Sequence, residues 1–233
     1  MWPHSRRDKR SATGIIFDFD GTLARMSIDF VDMRERINAL FKRHHISPES
    51  LKKRYILERI EEVFHIVTSD DRQKALQIKK EAFSLIEAIE VEAASHSRLL
   101  PGIYPRLWKL KKEGMRLAIA TRNCEKAIEA VIGKAKTFFD IILTRENSPA
   151  YKPKRESLLP ILRSFSLPTH RVFMIGDHPL DILTAHAARL PAIGVLTGTG
   201  SKEALKKAGA IAVVKHANHA IDFLLKKHFR SLS

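Results

Sequence analysis

The sequence predicts an α/β fold in which a parallel sheet is flanked by helices and a bundle of helices is inserted after the first strand. Short apolar runs alternate with helical stretches along most of the 233 residues, and this alternation is typical of a parallel sheet covered on both faces. One long stretch, from about Ser27 to Ser95, breaks the alternation because it has only helical periodicity. These two observations predict an α/β core with an all-helical insertion.

The predicted strands are apolar almost throughout, which is expected where a parallel strand is buried on both faces. They cover residues 14–19, 116–120, 140–143, 171–175, 192–196 and 210–214. The helices between and after them cover residues 104–113, 125–132, 155–164, 180–188, 202–208 and 217–228. Gly114 and Gly133 follow the first two of these helices, where glycine commonly ends a helix.

The inserted stretch contains three apolar stripes at helical spacing, and each stripe predicts one face of an amphipathic helix. The stripes are Phe30, Met33, Ile37, Leu40 and Phe41; then Leu51, Tyr55, Ile60, Val63 and Phe64; and then Ile78, Ala82, Leu85, Ile86, Ile89 and Ala93. Ser47 and Pro48 predict the start of the second helix as its N-cap and first-turn residues. The chain is therefore divided into a basic N-terminal tail (residues 1–12), an α/β core (13–23 and 99–233) and a helical insertion (24–98).

The positive charge is distributed unevenly. The chain has a formal net charge of +15, yet residues 24–98 hold 14 basic and 13 acidic side chains. Residues 13–23 and 99–233 hold 23 basic and 12 acidic ones. Such an asymmetry can attract anionic small molecules, nucleic acid or acidic lipid, or it can form a solvated surface that aids solubility.

Cysteine content and hydropathy bear on the compartment. Cys124 is the single cysteine, so the chain forms no intrachain disulfide and fits a reducing compartment. No apolar stretch follows the basic N-terminal residues, as a secretory signal requires, and no segment approaches the ~20 apolar residues of a membrane span. We expect a soluble, cytoplasmic protein with no membrane partner.

Two carboxylates stand at the end of the first predicted strand. Asp18 and Asp20 alternate with Phe17 and Phe19, so the two acidic side chains point to the same face. Charged groups are costly to bury, and two acids at this place require water, a cation or another partner. Open α/β sheets bind ligands at the carboxyl ends of their strands. The pair therefore predicts a site, although an acidic turn can have the same sequence.

Polar residues also follow the later strands. Thr121 comes after the second core strand and opens a helix, whose N-terminus favours phosphate. Lys152 lies in the loop after the third core strand, and Asp177 and Asp181 follow the fourth. Because the carboxyl ends of parallel strands meet at one edge of the sheet, all of these side chains can converge on one crevice.

The order and spacing of these residues resembles the haloacid dehalogenase superfamily, specifically its phosphoglycolate-phosphatase-like members with a helical cap after the first strand. The motifs that carry the resemblance span nearly the whole core and are Asp18-Phe19-Asp20-Gly21-Thr22, Thr121, Lys152, and Gly176-Asp177 with Asp181. Each motif is short, but four in this order and strand context are specific. The resemblance implies a Rossmann-like catalytic core with a parallel sheet flanked by helices, an inserted α-helical cap, and a phosphoric monoester hydrolase activity.

The resemblance also implies roles for the acids. Asp18 would attack phosphorus and form an aspartyl-phosphate that water later hydrolyses. Mg²⁺ would be the cofactor, because an anionic nucleophile repels a phosphate dianion. Its ligands would be the carboxylates of Asp18 and Asp177 and the backbone carbonyl of Asp20, with Asp181 supporting the metal site. Asp20 would protonate the leaving oxygen and then activate the water.

A further implied set of residues would bind the phosphate. Lys152 and Thr121, with backbone N–H groups near Gly21, would hold the transferring phosphoryl oxygens. The phosphate-binding candidates are Asp18, Asp20, Gly21, Thr121, Arg122, Asn123 and Lys152. For Arg122 the alternative is a solvated side chain.

Three interpretations of the reaction stay open. A phosphatase would hydrolyse a small phosphomonoester such as phosphoglycolate, a sugar phosphate or a nucleotide. A phosphomutase would use the same residues and pass the phosphoryl group to a second hydroxyl. A nucleic-acid-associated protein with a vestigial site is the third, but the intact acids and Lys152 argue against it. The predicted function is therefore a phosphatase without a specific nucleic-acid partner.

Two further features need interpretation. Members of the family usually have glycine after the helix that follows the fourth motif, but Arg189 stands here, which implies a different helix end or backbone strain. Gly198-Thr199-Gly200-Ser201 looks like a phosphate-cradling loop. A glycine pair after a strand is usually a turn, however, and we interpret it as one.

Overall fold

The computed structural model describes residues 13–230, with side chains described up to residue 226. The predicted basic tail, residues 1–12, therefore lies outside the described part of the chain. Among the described helices, none combines the length and the apolarity that crossing a bilayer requires. The described residues divide into two compact units, Ser27–Ser95 and the remainder.

The first unit contains a six-stranded sheet in the order β5-β4-β1-β6-β7-β8. Its strands are β1 (Gly14–Phe17), β4 (Arg116–Ala120), β5 (Ile141–Leu143), β6 (Val172–Gly176), β7 (Ala192–Val195) and β8 (Ala212–Val214). Every neighbouring pair is parallel, so the carboxyl ends of all six strands lie along the same edge. The central strand β1 is buried at every residue, which explains its unbroken apolar sequence.

Helices flank this sheet. They are α4 (Ile103–Lys112), α5 (Glu125–Ile132), α6 (Leu159–Phe165), α7 (Pro179–Ala187), α8 (Lys202–Lys207) and α9 (Ala217–Arg230). Residues from α6, α7 and α8 pack with strand residues such as Ile16 and Met174 in one buried cluster, and α9 packs against β7, β8 and α4. The predicted α/β fold class, a parallel sheet flanked by helices, is confirmed.

A short ladder marks the two ends of the inserted stretch. Strands β2 (Ala24–Arg25) and β3 (Arg98–Leu99) pair antiparallel, and the Leu100 N–H donates to the Leu23 carbonyl 2.8 Å away. The compact units divide just inside this ladder, at Ser27 and Ser95. The ladder thus groups with the sheet, whereas the sequence predicted Ala24, Arg25 and Arg98 as part of the insertion, because two-residue strands are too short to show a periodicity.

The second unit consists of α1 (Phe30–Arg43), α2 (Ile56–Thr68) and α3 (Arg72–Ser95), with α3 packed against both of the others. Asp29 caps α1 by accepting the N–H groups of Val31 and Asp32, as an N-cap carboxylate does. The predicted apolar stripe of α1 is buried except at its first residue, since Phe30 is 48% exposed.

The second inserted helix begins later than the sequence indicated. Residues 48–50 form one 3₁₀ turn, and α2 starts only at Ile56. The intervening segment is held by side chains of α2 instead of helical hydrogen bonds. Glu62 accepts the N–H groups of Lys52 and Lys53, and the buried Arg59 donates to the Pro48 and Lys53 carbonyls.

The helix predicted at residues 155–164 is divided into a 3₁₀ turn, Arg155–Leu158, and α6. Pro160 stands in the first turn of α6. Because proline has no backbone N–H, it cannot continue a preceding α-helix but fits the start of a new one.

Arg189 adopts a left-handed backbone conformation with φ of 59°. The Leu190 N–H donates to the Ala185 carbonyl and the Arg189 N–H to the His186 carbonyl, which together form the Schellman motif that ends α7. The helix therefore ends in the left-handed conformation that glycine usually supplies. Of the two alternatives, a different helix end and backbone strain, the structure supports strain, because a side chain is unfavourable at this φ.

We predict that Arg189→Gly raises the free energy of unfolding by about 0.5–1 kcal/mol, because glycine relieves the left-handed strain by more than it adds unfolded-state entropy. Urea denaturation of the two proteins measures the difference. The matched control is Arg163→Gly, an exposed arginine inside α6, which should lower stability by up to ~1 kcal/mol. Equal destabilisation by both substitutions would contradict the strain argument.

Candidate active site

The carboxyl edge of the sheet brings together four of the predicted side chains. Asp18 follows β1, Asp177 follows β6, and Asp181 lies in the first turn of α7. Lys152 comes from the long connection after β5. All four are nearly buried, with exposed fractions of 7% or less. Adjacent parallel strands place their following loops side by side, and this is why residues so distant in sequence meet here.

Lys152 is the centre of this group. Its ammonium Nζ lies 2.6 Å from Asp18 Oδ1 and 2.6 Å from Asp181 Oδ1, and it also donates to the Ala120 carbonyl at 3.0 Å. These three contacts use all three N–H donors of the ammonium. In this structure Lys152 therefore binds carboxylates and a strand carbonyl, and a phosphoryl oxygen would have to share one of these donors.

Burial and the neighbouring charges shift the pKa values of three of these four side chains. Burial raises the pKa of the Asp18 carboxyl well above its ordinary value, more than the Lys152 charge lowers it. Burial would lower the pKa of Lys152, but the charges of Asp18 and Asp181 outweigh it and raise that pKa. Burial and then the charge of Asp181 raise the pKa of Asp177 to about 7.

Asp181 is fixed by a reciprocal cap at the start of α7. Its Oδ2 accepts the His178 N–H at 3.0 Å, and His178 Nδ1 accepts the Leu180 N–H at 3.1 Å. Since Oδ1 already accepts from Lys152, both oxygens of Asp181 have protein donors. This arrangement suits a residue that orients Lys152 and supports its neighbours.

Asp20 does not join the Lys152 group. Its Oδ1 accepts the backbone N–H of Met26 at 2.8 Å, so the carboxylate is directed toward the end of β2. Asp20 lies outside the set of acids whose oxygens approach one another closely, which consists of Asp18, Asp177 and Asp181. This is compatible with the expectation that Asp20 would use its backbone carbonyl toward a metal.

The residues after β4 make contacts that the sequence did not reveal. Thr121 Oγ1 accepts the Asn123 N–H at 3.2 Å, and Asn123 Nδ2 lies 3.3 Å from Met26 Sδ. Arg122 Nη1 donates to the Lys152 carbonyl at 2.9 Å. Arg122 therefore reaches the backbone that carries the buried lysine. The sequence predicted it only as a phosphate-binding candidate or a solvated side chain.

The acids fit a divalent cation by their chemistry. One oxygen from each of Asp18, Asp177 and Asp181 lies within 4.8 Å of the others. Three ionised carboxylates against the single charge of Lys152 leave an excess of buried negative charge, which is costly without a further cation. Hard oxygen donors of this kind are the ligands that Mg²⁺ prefers.

A loop interpreted above as a simple turn also contacts the group. The Thr199 N–H donates to Asp177 Oδ2 at 2.9 Å, and the Thr197 hydroxyl donates to the Gly21 carbonyl. Gly21 has a positive φ and lies against Asp177. In the sequence, the two glycines after β7 were the feature that could have indicated these contacts, because glycine permits close backbone approach.

Known proteins are similar to this chain in sequence. The chain is similar to a haloacid dehalogenase-like hydrolase domain-containing protein of Arabidopsis thaliana, with 29% identity over 173 residues. It is also similar to a phosphoglycolate phosphatase of Mannheimia succiniciproducens, with 32% identity over 124 residues. These matches cover 74% and 51% of this chain. The chain spans 66% and 53% of the two curated relatives, about half to two thirds of their length.

The fold has solved counterparts. A crystal structure described as a predicted phosphatase from Clostridium acetobutylicum superimposes with a TM-score of 0.64 at 21% identity, covering 92% of this chain and 99% of that chain. At this identity the likeness concerns the fold. The family model for haloacid dehalogenase-like hydrolases matches residues 15–195, which begin in β1 and end with β7. The predicted resemblance is thereby confirmed, and the chain belongs to the haloacid dehalogenase-like hydrolase family.

Proposed function

We propose that this protein is a Mg²⁺-dependent phosphatase that hydrolyses a small phosphomonoester through an aspartyl-phosphate on Asp18. The observation that carries the proposal is the buried group in which Lys152 bridges Asp18 and Asp181 beside Asp177. A relative named phosphoglycolate phosphatase supports this substrate class, and phosphoglycolate, a sugar phosphate or a nucleotide remain the candidate substrates. The single cysteine fits a cytoplasmic location, which is part of the proposal.

The metal would be held by the carboxylates of Asp18 and Asp177 and the backbone carbonyl of Asp20, with Asp181 supporting them. When bound, Mg²⁺ supplies positive charge that offsets repulsion between carboxylate and phosphate and polarises the phosphoryl oxygens. The excess of buried carboxylates over Lys152 is the feature of this chain that favours such a cation.

Asp18 is suited to be the nucleophile. Its Oδ1 is held by Lys152, whereas Oδ2 accepts no hydrogen bond from the described residues and stays available for attack. In the first step an Asp18 oxygen forms a bond to phosphorus and the ester P–O bond breaks. Both oxygens belong to a carboxylate that the ion pair keeps in one orientation, which favours a defined line of attack.

Asp20 is proposed as the acid and base of the reaction. It would give its proton to the leaving oxygen in the first step. In the second step it would take a proton from water, whose oxygen attacks phosphorus and releases Asp18 and inorganic phosphate. The Met26 N–H fixes one oxygen of Asp20, so the orientation of the acid depends on the chain segment that ends β2.

Phosphate binding is assigned to residues around the start of α5. The Thr121 hydroxyl accepts from the Asn123 N–H and still has its own proton to donate. Backbone N–H groups near Gly21 and the Lys152 ammonium would complete the set, with Arg122 and Asn123 as further candidates. Arg122 already supports Lys152 through its carbonyl, and both functions are compatible because a guanidinium has five N–H donors.

The helical unit is proposed to be a cap that limits the substrate to small esters. It is inserted between the strand that precedes Asp18 and the strand that precedes Thr121, and the β2–β3 ladder joins its two ends. A closing cap would exclude water from the reacting group and would also exclude a polymer whose ends cannot be enclosed.

We predict that Asp18→Asn and Asp20→Asn stop turnover at different steps. Asp18→Asn should form no phosphoenzyme and lose at least ~10³-fold in kcat. Asp20→Asn should lose ~10²–10⁴-fold and accumulate phosphoenzyme from p-nitrophenyl phosphate, whose leaving group needs little protonation. Intact-protein mass spectrometry after rapid quenching detects the intermediate.

Asp70→Asn, at an exposed turn outside the site, is the control and should behave as the wild type. Phosphoenzyme formed by Asp18→Asn would contradict the assignment of the nucleophile. Release of inorganic phosphate, followed by ³¹P NMR, separates hydrolysis from the alternative of transfer to a second hydroxyl.

We predict that the metal-free protein loses stability between about pH 4, the ordinary carboxyl pKa, and pH 7, where the folded Asp177 titrates. The sign follows from the raised pKa: in this window the folded state binds more protons than the unfolded state, so stability falls as pH rises. Asp177→Asn should be more stable than the wild type at pH 8 in EDTA. Thermal denaturation with and without Mg²⁺ measures both effects.

In the same experiment Mg²⁺ should raise the Tm of the wild type and of the control Asp70→Asn, but not that of Asp177→Asn. A wild type and an Asp177→Asn variant with equal stability at pH 8 without metal would contradict the electrostatic account of the site.

We predict that small phosphate esters have at least about tenfold higher kcat/KM than a phosphopeptide or a 5′-phosphorylated oligonucleotide, because a cap that must close cannot enclose a polymer. The kcat/KM values are compared by measuring phosphate release from the small esters, the phosphopeptide and the oligonucleotide at the same Mg²⁺ concentration. If either polymer is the better substrate by tenfold, the cap assignment is wrong and the basic surface of residues 99–233 becomes the better guide.

A further inference from the structure

The loop of residues 197–200 connects β7 with α8 and contacts two parts of the candidate site. The Thr199 N–H donates to Asp177 Oδ2, and the Thr197 hydroxyl donates to the Gly21 carbonyl. Gly21 belongs to the loop that follows Asp18, and Asp177 follows β6. One short segment from a third strand therefore touches both acidic loops.

The approach of this loop is closer than a side chain would permit. A Cβ built on Gly198 would lie 1.9 Å from Asp177 Oδ2, and one on Gly200 would lie 2.1 Å from the Asp177 carbonyl oxygen. A Cβ on Gly21, in the loop after β1, would lie 2.7 Å from Asp177 Cγ and 2.9 Å from Gly198 Cα. Three glycine backbones thus approach Asp177 more closely than residues with a side chain could.

The contact with the loop distinguishes the two oxygens of the Asp177 carboxylate. Oδ2 faces the loop and accepts the Thr199 N–H, whereas Oδ1 accepts no hydrogen bond from the part of the chain that the structure describes. A carboxylate with one oxygen held by a backbone donor and the other left open is oriented before any cation arrives. Outer contacts of this kind orient metal ligands and alter metal affinity.

We propose that the loop of residues 197–200 is a positioning element for Asp177, with the Thr199 backbone N–H as the donor that orients its carboxylate and increases the affinity for the divalent cation. This inference rests on the proposed function, since it assigns Asp177 to that cation. The Thr199 hydroxyl is not needed for this positioning. Gly198 and Gly200 allow the loop backbone to lie against Asp177.

The test compares Thr199→Pro, which removes the backbone donor, with Thr199→Ala, which keeps it. Isothermal titration of Mg²⁺ into the metal-free proteins should give Thr199→Ala an affinity within about twofold of the wild type and Thr199→Pro a loss of ~10–100-fold. In activity assays Thr199→Pro should raise the Mg²⁺ concentration for half-maximal rate and regain kcat at saturating Mg²⁺, which a general structural defect would not do.

Circular dichroism and Tm in EDTA establish that the variants are folded. If Thr199→Pro does not fold, Gly198→Ala tests the inference instead. Its methyl group would collide with Asp177 Oδ2 and should lower the Mg²⁺ affinity by at least the ~10–100-fold expected for Thr199→Pro. Thr197→Val, which removes only a hydroxyl bond to Gly21, should have a smaller effect.

Equal Mg²⁺ affinity of Thr199→Pro and Thr199→Ala, or wild-type affinity of a folded Gly198→Ala, would overturn the inference. Failure of the proposed function gives a different result. In that case the wild type itself binds no Mg²⁺ and releases no phosphate from any ester.

Discussion

The buried ion pair network of Lys152 is the interaction on which the rest of the site depends. Its ammonium lies 2.6 Å from an oxygen of Asp18 and 2.6 Å from one of Asp181. Removing one partner of a buried pair leaves an uncompensated charge, which is strongly destabilising. The lysine therefore couples the loop after β1, the connection after β5 and the first turn of α7. The parallel sheet makes this coupling feasible, because it brings these three segments to one edge.

The same network leaves an electrostatic imbalance that is better explained by function than by stability. Three buried acids lie close together, but the Lys152 ammonium pairs with only Asp18 and Asp181. Burial raises the pKa values of Asp18 and Asp177 above their ordinary range. Perturbed groups of this kind cluster at functional sites. A metal-free protein would be more stable with fewer carboxylates here, so the arrangement is understandable as preorganised binding of a cation and of a phosphoryl group. The glycine-rich loop after β7 contributes to this arrangement because its Thr199 N–H donates to Asp177.

The chain segment that leads into the helical unit contacts two of the candidate site residues. Met26 is the last residue before that unit, its N–H holds Asp20, and its sulfur lies 3.3 Å from Asn123 Nδ2. The proposed acid and base is thus held by the residue that directly follows β2.

The sequence by itself determined the fold class, the all-helical insertion and the four residues that meet at the carboxyl edge of the sheet, because periodicity and the order of strand-end motifs are local features of the chain. It also pointed to strain at Arg189. Only the tertiary structure decided which partner each polar group takes. Arg122 reaches the Lys152 carbonyl, Asp20 binds a backbone N–H, and the loop of residues 197–200 contacts Gly21 from 176 positions away in sequence. Such contacts depend on how strands that are distant in sequence pack together and on how closely glycine backbones approach their neighbours. A local pattern of residues does not specify either of these.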